Sequence, residues 1–293
     1  MIKLLAYTKY YFIFSALIII PGLVSLGLYG LLAGIDFVGG TTYEVKFNKF
    51  VSNEEIARLV GESVPEVALN SVVSTGESQI LLRMSPISDD QRLKLRDALK
   101  AGYGDFTELE FETVGATLGR ELLEKTLIAA AIALIAIIIF LAWAFKNIVF
   151  GLSAVVAMLH DTLVILGIFS LLGHFYSVEV DALFVAALLT ILSFSVHDTV
   201  VVFDRIRERT HGDFTSNFDQ VANRALNETM VRSLNNSLAI IFMLLALLIL
   251  GGASLKFFVL ALLVGSISGT YSSPCIAVPM LRIFFKLQRK YAH

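Results

Sequence analysis

The chain has 293 residues and a formal net charge of −2, with 56% of residues hydrophobic and 16% charged. A soluble domain carries about a quarter of its residues charged, so this composition, with a mean hydropathy of +0.77, describes an integral membrane protein. No basic face is concentrated enough for nucleic acid, and the single cysteine, Cys275, excludes an intrachain disulfide and a cysteine-based zinc cluster.

About 20 apolar residues span a bilayer, and six runs qualify: roughly 11–34, 126–145, 148–172, 182–203, 234–252 and 257–285. The first follows Lys3 and Lys9, outruns a signal-peptide core and lacks an Ala-x-Ala cleavage site, which predicts a retained anchor. Lys3, Lys9, Lys146, the cluster Arg205, Arg207, Arg209, Arg224 and Arg232, and Lys286, Arg289 and Lys290 all fall on one side; the short connections opposite hold Lys256. The positive-inside rule then places both termini in the cytoplasm. Three parts result: residues 1–35 with the first span, an extracytoplasmic domain over 36–122, and a five-helix region over 123–293 with a cytoplasmic loop at 204–232.

The outer segment alternates legibly. Thr41–Phe47 has the period-two pattern of a strand. Ser52-Asn53-Glu54-Glu55 is a capping box opening a helix to about Val60. Val67–Val73 and Gln79–Met84 read as strands around a Ser74-Thr75-Gly76 turn. Ser88 caps a second helix, Asp89–Lys100, which Gly102 is expected to end, and Phe106–Val114 alternates again. The order β-α-β-β-α-β predicts a small α+β domain of ferredoxin-like type. No nucleophile–base arrangement or metal-spacing cluster stands out, so no enzymatic activity and no metal is expected. The domain reads equally as a small folded cap or as a surface that handles another chain. In the cytoplasmic loop, Phe218, Val221, Ala222, Ala225, Leu226, Thr229 and Met230 recur at helical spacing, which predicts a helix lying along the membrane surface.

Asp198 stands inside a run that is otherwise apolar back to Ala182, apart from hydroxyls and His197. Ionisable residues at such depth are costly and mark ion pathways; the alternative is a packing aspartate that never changes charge. Arg232 enters the next span from the same side, and a guanidinium can reach along a helix, so the two are expected to form an ion-responsive pair. Opposite charge favours the ionised carboxylate and burial disfavours it; a near balance would let water access switch its protonation. His160-Asp161 in the third span echoes His197-Asp198. That run is longer than a span needs, so its first turns are expected to lie flat, leaving His160-Asp161 near the cytoplasmic surface. Gly265-x-x-x-Gly269, with Ser266, Ser268, Ser272 and Ser273, reads as close helix packing.

Five segments together carry a resemblance: Gly34-Ile35-Asp36-Phe37-Val38-Gly39-Gly40-Thr41, Val114 through Leu122, Leu159-His160-Asp161, Asp198 through Glu208, and Gly269-Thr270-Tyr271-Ser272-Ser273. In order and over essentially the whole chain they resemble the SecF family. The resemblance implies an RND-type six-helix half in the bacterial cytoplasmic membrane. It implies a subunit that acts with SecD, beside SecYEG and SecA, to draw secreted polypeptide outward at the expense of the proton-motive force. No cofactor is implied, and sodium is the alternative ion. The family's intramembrane acid falls on Asp198 and its arginine on Arg232; Asp36, His160, Asp161 and His197 are secondary candidates. Two departures are plain: His197 replaces a common asparagine, and Asn236 and Ala239 replace Thr/Ser positions, with Ser237 retained. The competing readings are an RND-type exporter of small molecules or lipids, disfavoured by one six-helix half where a complete exporter holds two, and a passive scaffold.

Overall fold

The computed structural model of the chain describes residues 3–291 apart from 75, 77, 146, 211–217 and 253–254. Thr75 of the expected turn, Lys146 of the charge count and the side chain of Arg289 lie outside the described residues. The chain divides into two compact units, residues 33–128 and residues 1–32 with 129–293. The first helix, α1 (Thr8–Tyr29), belongs to the latter unit and follows a 3-10 turn at Leu4–Tyr7.

The unit 33–128 runs α2 (Ile35–Val38), β1 (Gly40–Phe47), α3 (Asn53–Ser63), β2 (Leu69–Ser74), β3 (Gln79–Met84), α4 (Asp89–Tyr103) and β4 (Phe106–Val114), then enters α5 (Ala116–Ala144). The sheet order is β2-β3-β1-β4 and every neighbouring pair is antiparallel, the expected split βαβ arrangement. Alternation along β1 buries Tyr43, Val45 and Phe47 against Ile80, Leu82 and Met84 of β3, while Ile56 and Val60 of α3 and Leu95 and Leu99 of α4 close the core. Both capping boxes form: the Ser52 hydroxyl accepts from the Glu55 N–H at 3.2 Å, and that of Ser88 from the Gln91 N–H at 3.3 Å. The second helix outlasts the expectation. Gly102 lies inside α4, and Gly104, at φ +85°, ends it, because glycine, lacking a Cβ, adopts a positive φ at no steric cost.

Gly39 and Gly40 adopt φ +77° and +146°. A Cβ on Gly39 would lie 2.7 Å from the Ala116 Cα, and one on Gly119 would lie 2.8 Å from the Gly39 nitrogen. Gly40 also pairs with Val114 across the sheet. The first two resemblance segments are therefore one structural knot, where the start of β1 meets the start of α5.

Among the described residues, six helices are long and apolar enough to cross a membrane: α1 with its leading turn, α5, α6 (Ile148–Tyr176), α7 (Ala182–Thr210), α8 (Phe218–Leu250), and α9 (Lys256–Ser272) continued by a π-helical turn, Ser273–Ala277, into α10 (Val278–Tyr291). The chain is a multi-pass membrane protein. Helices α6, α7 and α9 form the interior; α1, α5 and α8 turn apolar faces outward, among them Leu17 of α1, Ile132, Ile135 and Ile139 of α5, and Phe242 and Met243 of α8. Small residues set the closest crossings. A Cβ on Gly22 of α1 would lie 2.7 Å from the Gly167 Cα of α6, and the reverse holds equally. One turn on, the Ser25 and Ser170 hydroxyls bond at 2.8 Å. A Cβ on Gly265 would fall 2.2 Å from Ile191 Cδ1, so α9 and α7 are pressed together there.

Two expectations give way. The segment 218–230 is no separate surface helix but the first turns of α8; its apolar face, Ala222, Ala225 and Leu226, is buried with Phe203, Ile206 and Leu281. Helix α6 is likewise unbroken, and it buries Phe150, Ala154, Ala157 and Met158 from its first turns onward. His160-Asp161 therefore sits about 20 Å along an uninterrupted helix, in its middle.

Substituting Gly22 or Gly167 with alanine should destabilise the bundle by about 1–3 kcal/mol through overpacking. Gly27→Ala, whose Cβ meets nothing within 4 Å, should be near neutral. Thermal unfolding in detergent makes the comparison; equal midpoints for the three variants would show that the crossing yields.

Candidate functional site

On α7 the residues Ser195, Val196, Asp198, Thr199, Val202, Phe203 and Ile206 are buried. This i, i+3, i+4, i+7 stripe faces the bundle interior and carries Asp198 inward. The carboxylate accepts from the Ser233 hydroxyl of α8, at 2.6 Å to Oδ1 and 2.8 Å to Oδ2. Beside it the Thr199 and Ser273 hydroxyls bond at 2.9 Å.

Arg232 does not close on Asp198. Among the described residues the two form no ion pair, and Arg232 is exposed on α8, where it lines a cleft of about 420 Å³ with Asp204, Arg205, Glu208, Glu228 and Thr229. The reason is helical phase. Successive residues on a helix point about 100° apart, so turning Ser233 toward Asp198 turns Arg232 toward the acidic cleft. His197 is exposed on the opposite side of α7, in a groove with Ile137 and Phe140 of α5, and takes no part in the hydroxyl network. Asp36 stands in α2 of the sheet unit.

A second buried carboxylate is held more completely. Asp161 of α6 is 0% exposed. Its Oδ2 accepts from Ser195 of α7 at 2.5 Å and from Ser272 of α9 at 2.7 Å; its Oδ1 accepts from Ser268 of α9 at 2.6 Å and lies 3.0 Å from His160 Nδ1. The other imidazole nitrogen, Nε2, is 2.9 Å from the Ser15 hydroxyl of α1. Ser15 in turn lies 3.2 Å from the Tyr271 hydroxyl, which donates to the Tyr11 carbonyl at 2.9 Å. A buried charge needs paired donors, and here three helices supply them, with α1 joined through Ser15 and His160. The expected position near the cytoplasmic surface is thus replaced by the centre of the bundle. The serines of α9, expected as packing residues, do both jobs: Gly265 and Gly269 admit α7 closely, while Ser268 and Ser272 bond Asp161. Sequence reasoning missed Ser15, Ser195, Ser233 and Tyr271 as partners. The available signal was the recurrence of hydroxyls in otherwise apolar helices.

Known proteins decide the family. The family model of the protein export membrane protein SecD/SecF, C-terminal, matches residues 94–287, and the SecD/SecF GG motif matches residues 34–49. A protein translocase subunit SecF of Thermobaculum terrenum is 42% identical over 93% of this chain and 90% of its own length. The chain belongs to the SecF family. A protein translocase subunit SecDF of Thermus thermophilus is 35% identical over 87% of this chain, which spans 35% of that longer protein. The crystal structure of SecDF from the same organism superposes with a TM-score of 0.83 at 33% identity, over 96% of this chain and 38% of that one. A SecDF structure in a super-membrane-facing form gives 0.66 at 30% identity. The GG motif match contains the Gly39-Gly40 knot, and the longer match contains Asp161, Asp198 and Arg232.

Truncating Asp161 should cost more stability than truncating Asp198. Asp161→Ala strands three hydroxyls in the interior, each worth about 1–3 kcal/mol when left unpaired, whereas Asp198→Ala chiefly strands Ser233. Melting of the two purified variants in detergent tests this; a larger loss for Asp198→Ala would contradict the assignment of bonds.

Proposed function

We propose that this chain is an accessory subunit of the Sec translocon which, with a SecD-type partner, spends the proton-motive force to promote late steps of polypeptide translocation. The observation that carries the reading is Asp198, a carboxylate buried between two membrane helices and held by a hydroxyl rather than locked by an arginine. Such a group can gain and lose a proton without dismantling an ion pair. A carboxylate with a bidentate arginine would resist that change. The relatives named SecDF carry in one chain what this chain would share with a separate SecD, so a partner subunit fits the length difference.

The finer parts of the reading are these. The coupling ion is the proton, with sodium as the alternative. Arg232 modulates Asp198 through its field from the cytoplasmic end of α8. The sheet unit lies on the outer side, the termini on the inner side, and the secreted polypeptide passes beside SecYEG after SecA has pushed it. No bond is made or broken in the substrate, so the role is mechanical rather than enzymatic.

Asparagine keeps the shape of aspartate but carries no titrating proton near neutral pH. Asp198→Asn should therefore leave the chain inserted and paired with SecD yet abolish the stimulation of export by an imposed pH gradient in membrane vesicles. Arg232→Ala should reduce that stimulation only in part. Full gradient-dependent export by Asp198→Asn at matched membrane levels would leave the scaffold reading standing. For the orientation, a cysteine replacing Phe50, which is 77% exposed, should react with an impermeant thiol reagent in intact cells stripped of outer barriers; reaction only after lysis would reverse the topology.

A further inference from the structure

The links around His160 can be counted. Three contacts run outward from its Nε2: to Ser15 at 2.9 Å, from Ser15 to Tyr271 at 3.2 Å, and from Tyr271 to the Tyr11 carbonyl at 2.9 Å. Three hydrogen bonds need three protons, and the two hydroxyls supply two. A neutral imidazole that donates from Nδ1 to Asp161 has none left on Nε2, so one of the three contacts is then empty. An added proton on Nε2 completes the set: Nε2–H donates to Ser15, Ser15 donates to Tyr271, and Tyr271 donates to the carbonyl. Asp161, with three further hydroxyl donors, is the counter-charge. The difference between the two states is the rotation of one or two hydroxyls, with no backbone movement.

The same cluster reaches the neighbourhood of Asp198 through α9. Ser272 donates to Asp161, and the next residue, Ser273, bonds Thr199, which follows Asp198 on α7. The π-helical turn begins at Ser273, and such turns inside α-helices recur at functional sites. A shift of this one segment disturbs a donor to Asp161 and the hydroxyl bonded to Thr199, the residue after Asp198, at once.

We propose that His160 and Asp161 form a second proton-holding station, which takes up one proton from solvent on His160 Nε2 and is coupled to Asp198 through Ser272 and Ser273. This rests on the reading of Asp198 as a titrating group. Coupling of this kind is reciprocal: whatever changes the charge of one station changes proton affinity at the other. Among the described residues, Tyr271 of α9 faces the pair, its ring centroid 5.9 Å from that of His160, and Tyr11 of α1 and Cys275 lie beside Tyr271. Asp198 faces it from α7 by way of Thr199 and Ser273, with His197 next to it on α7 and Arg232 next to Ser233 on α8.

Solid-state 15N NMR of the full chain in lipid vesicles, with labelled histidine, reads the protonation of each imidazole nitrogen; His160→Gln identifies the resonance. Between about pH 5 and about pH 8, where imidazoles change charge, a proton-holding station requires His160 to pass from imidazolium to imidazole. Asp198→Asn should move its midpoint by at least about half a pH unit, as expected for charges coupled inside a protein. Ser273→Ala, a small change at a residue that makes no hydrogen bond to His160 or Asp161, should shrink that displacement. A His160 signal fixed in one state across the range would overturn the station. A titrating His160 whose midpoint ignores Asp198→Asn would overturn the coupling. Neither outcome depends on export, so loss of gradient-driven export in Asp198→Asn with a non-titrating His160 would fail this inference alone.

Discussion

A carboxylate placed between apolar helices must find donors, because neither lipid nor a packed apolar core supplies them. In this chain the donors are hydroxyls. Ser233 serves Asp198, while Ser195, Ser268 and Ser272 serve Asp161. Hydroxyls are small, neutral and free to rotate, so they satisfy a carboxylate in either protonation state at little structural cost. An arginine in the same position would fix the charge. Asp161 ties together α6, α7 and α9, the three helices with the greatest burial, and through His160 and Ser15 it reaches α1. Asp198 ties α7 to α8. The interior of the bundle is thus arranged around two acids that differ in how firmly they are held.

Close packing serves the same end. The crossing of α7 and α9 depends on Gly265 and Gly269, whose missing side chains admit Ile191 and Ser195. Without that approach, Ser195 and Ser272 could not both reach one carboxylate. The small-residue spacing in α9 and the polar site are therefore one feature, since the glycines set the distance that the serines then use.

Much of this was legible in the amino-acid order. Six spans, both capping boxes and the split βαβ order follow from periodicity and from the residues that start and stop helices. Asp198 declares itself as a lone acid in an apolar run. What was hidden is phase and partnership. Nothing in the sequence says that Ser233, and not its neighbour Arg232, turns toward α7, since a one-residue rotation is decided by how Ala222, Ala225 and Leu226 pack about two to three turns earlier. The serines of α9 read as packing residues because small size and hydroxyl chemistry coincide in the same side chain. Asp161 was underrated because a long apolar run offers no landmark for depth; only the continuous α6 fixes it at the centre.

The central claim is that Asp198 changes its protonation state inside the bundle. Infrared difference spectroscopy of the full chain with its SecD partner in vesicles observes this directly, through the carbonyl stretch of a protonated carboxylic acid. Stepping the pH downward should produce a protonated-acid band that persists in Asp161→Asn and vanishes in Asp198→Asn. A pH-dependent acid band unchanged by Asp198→Asn, or no such band in the unsubstituted protein, would contradict the account.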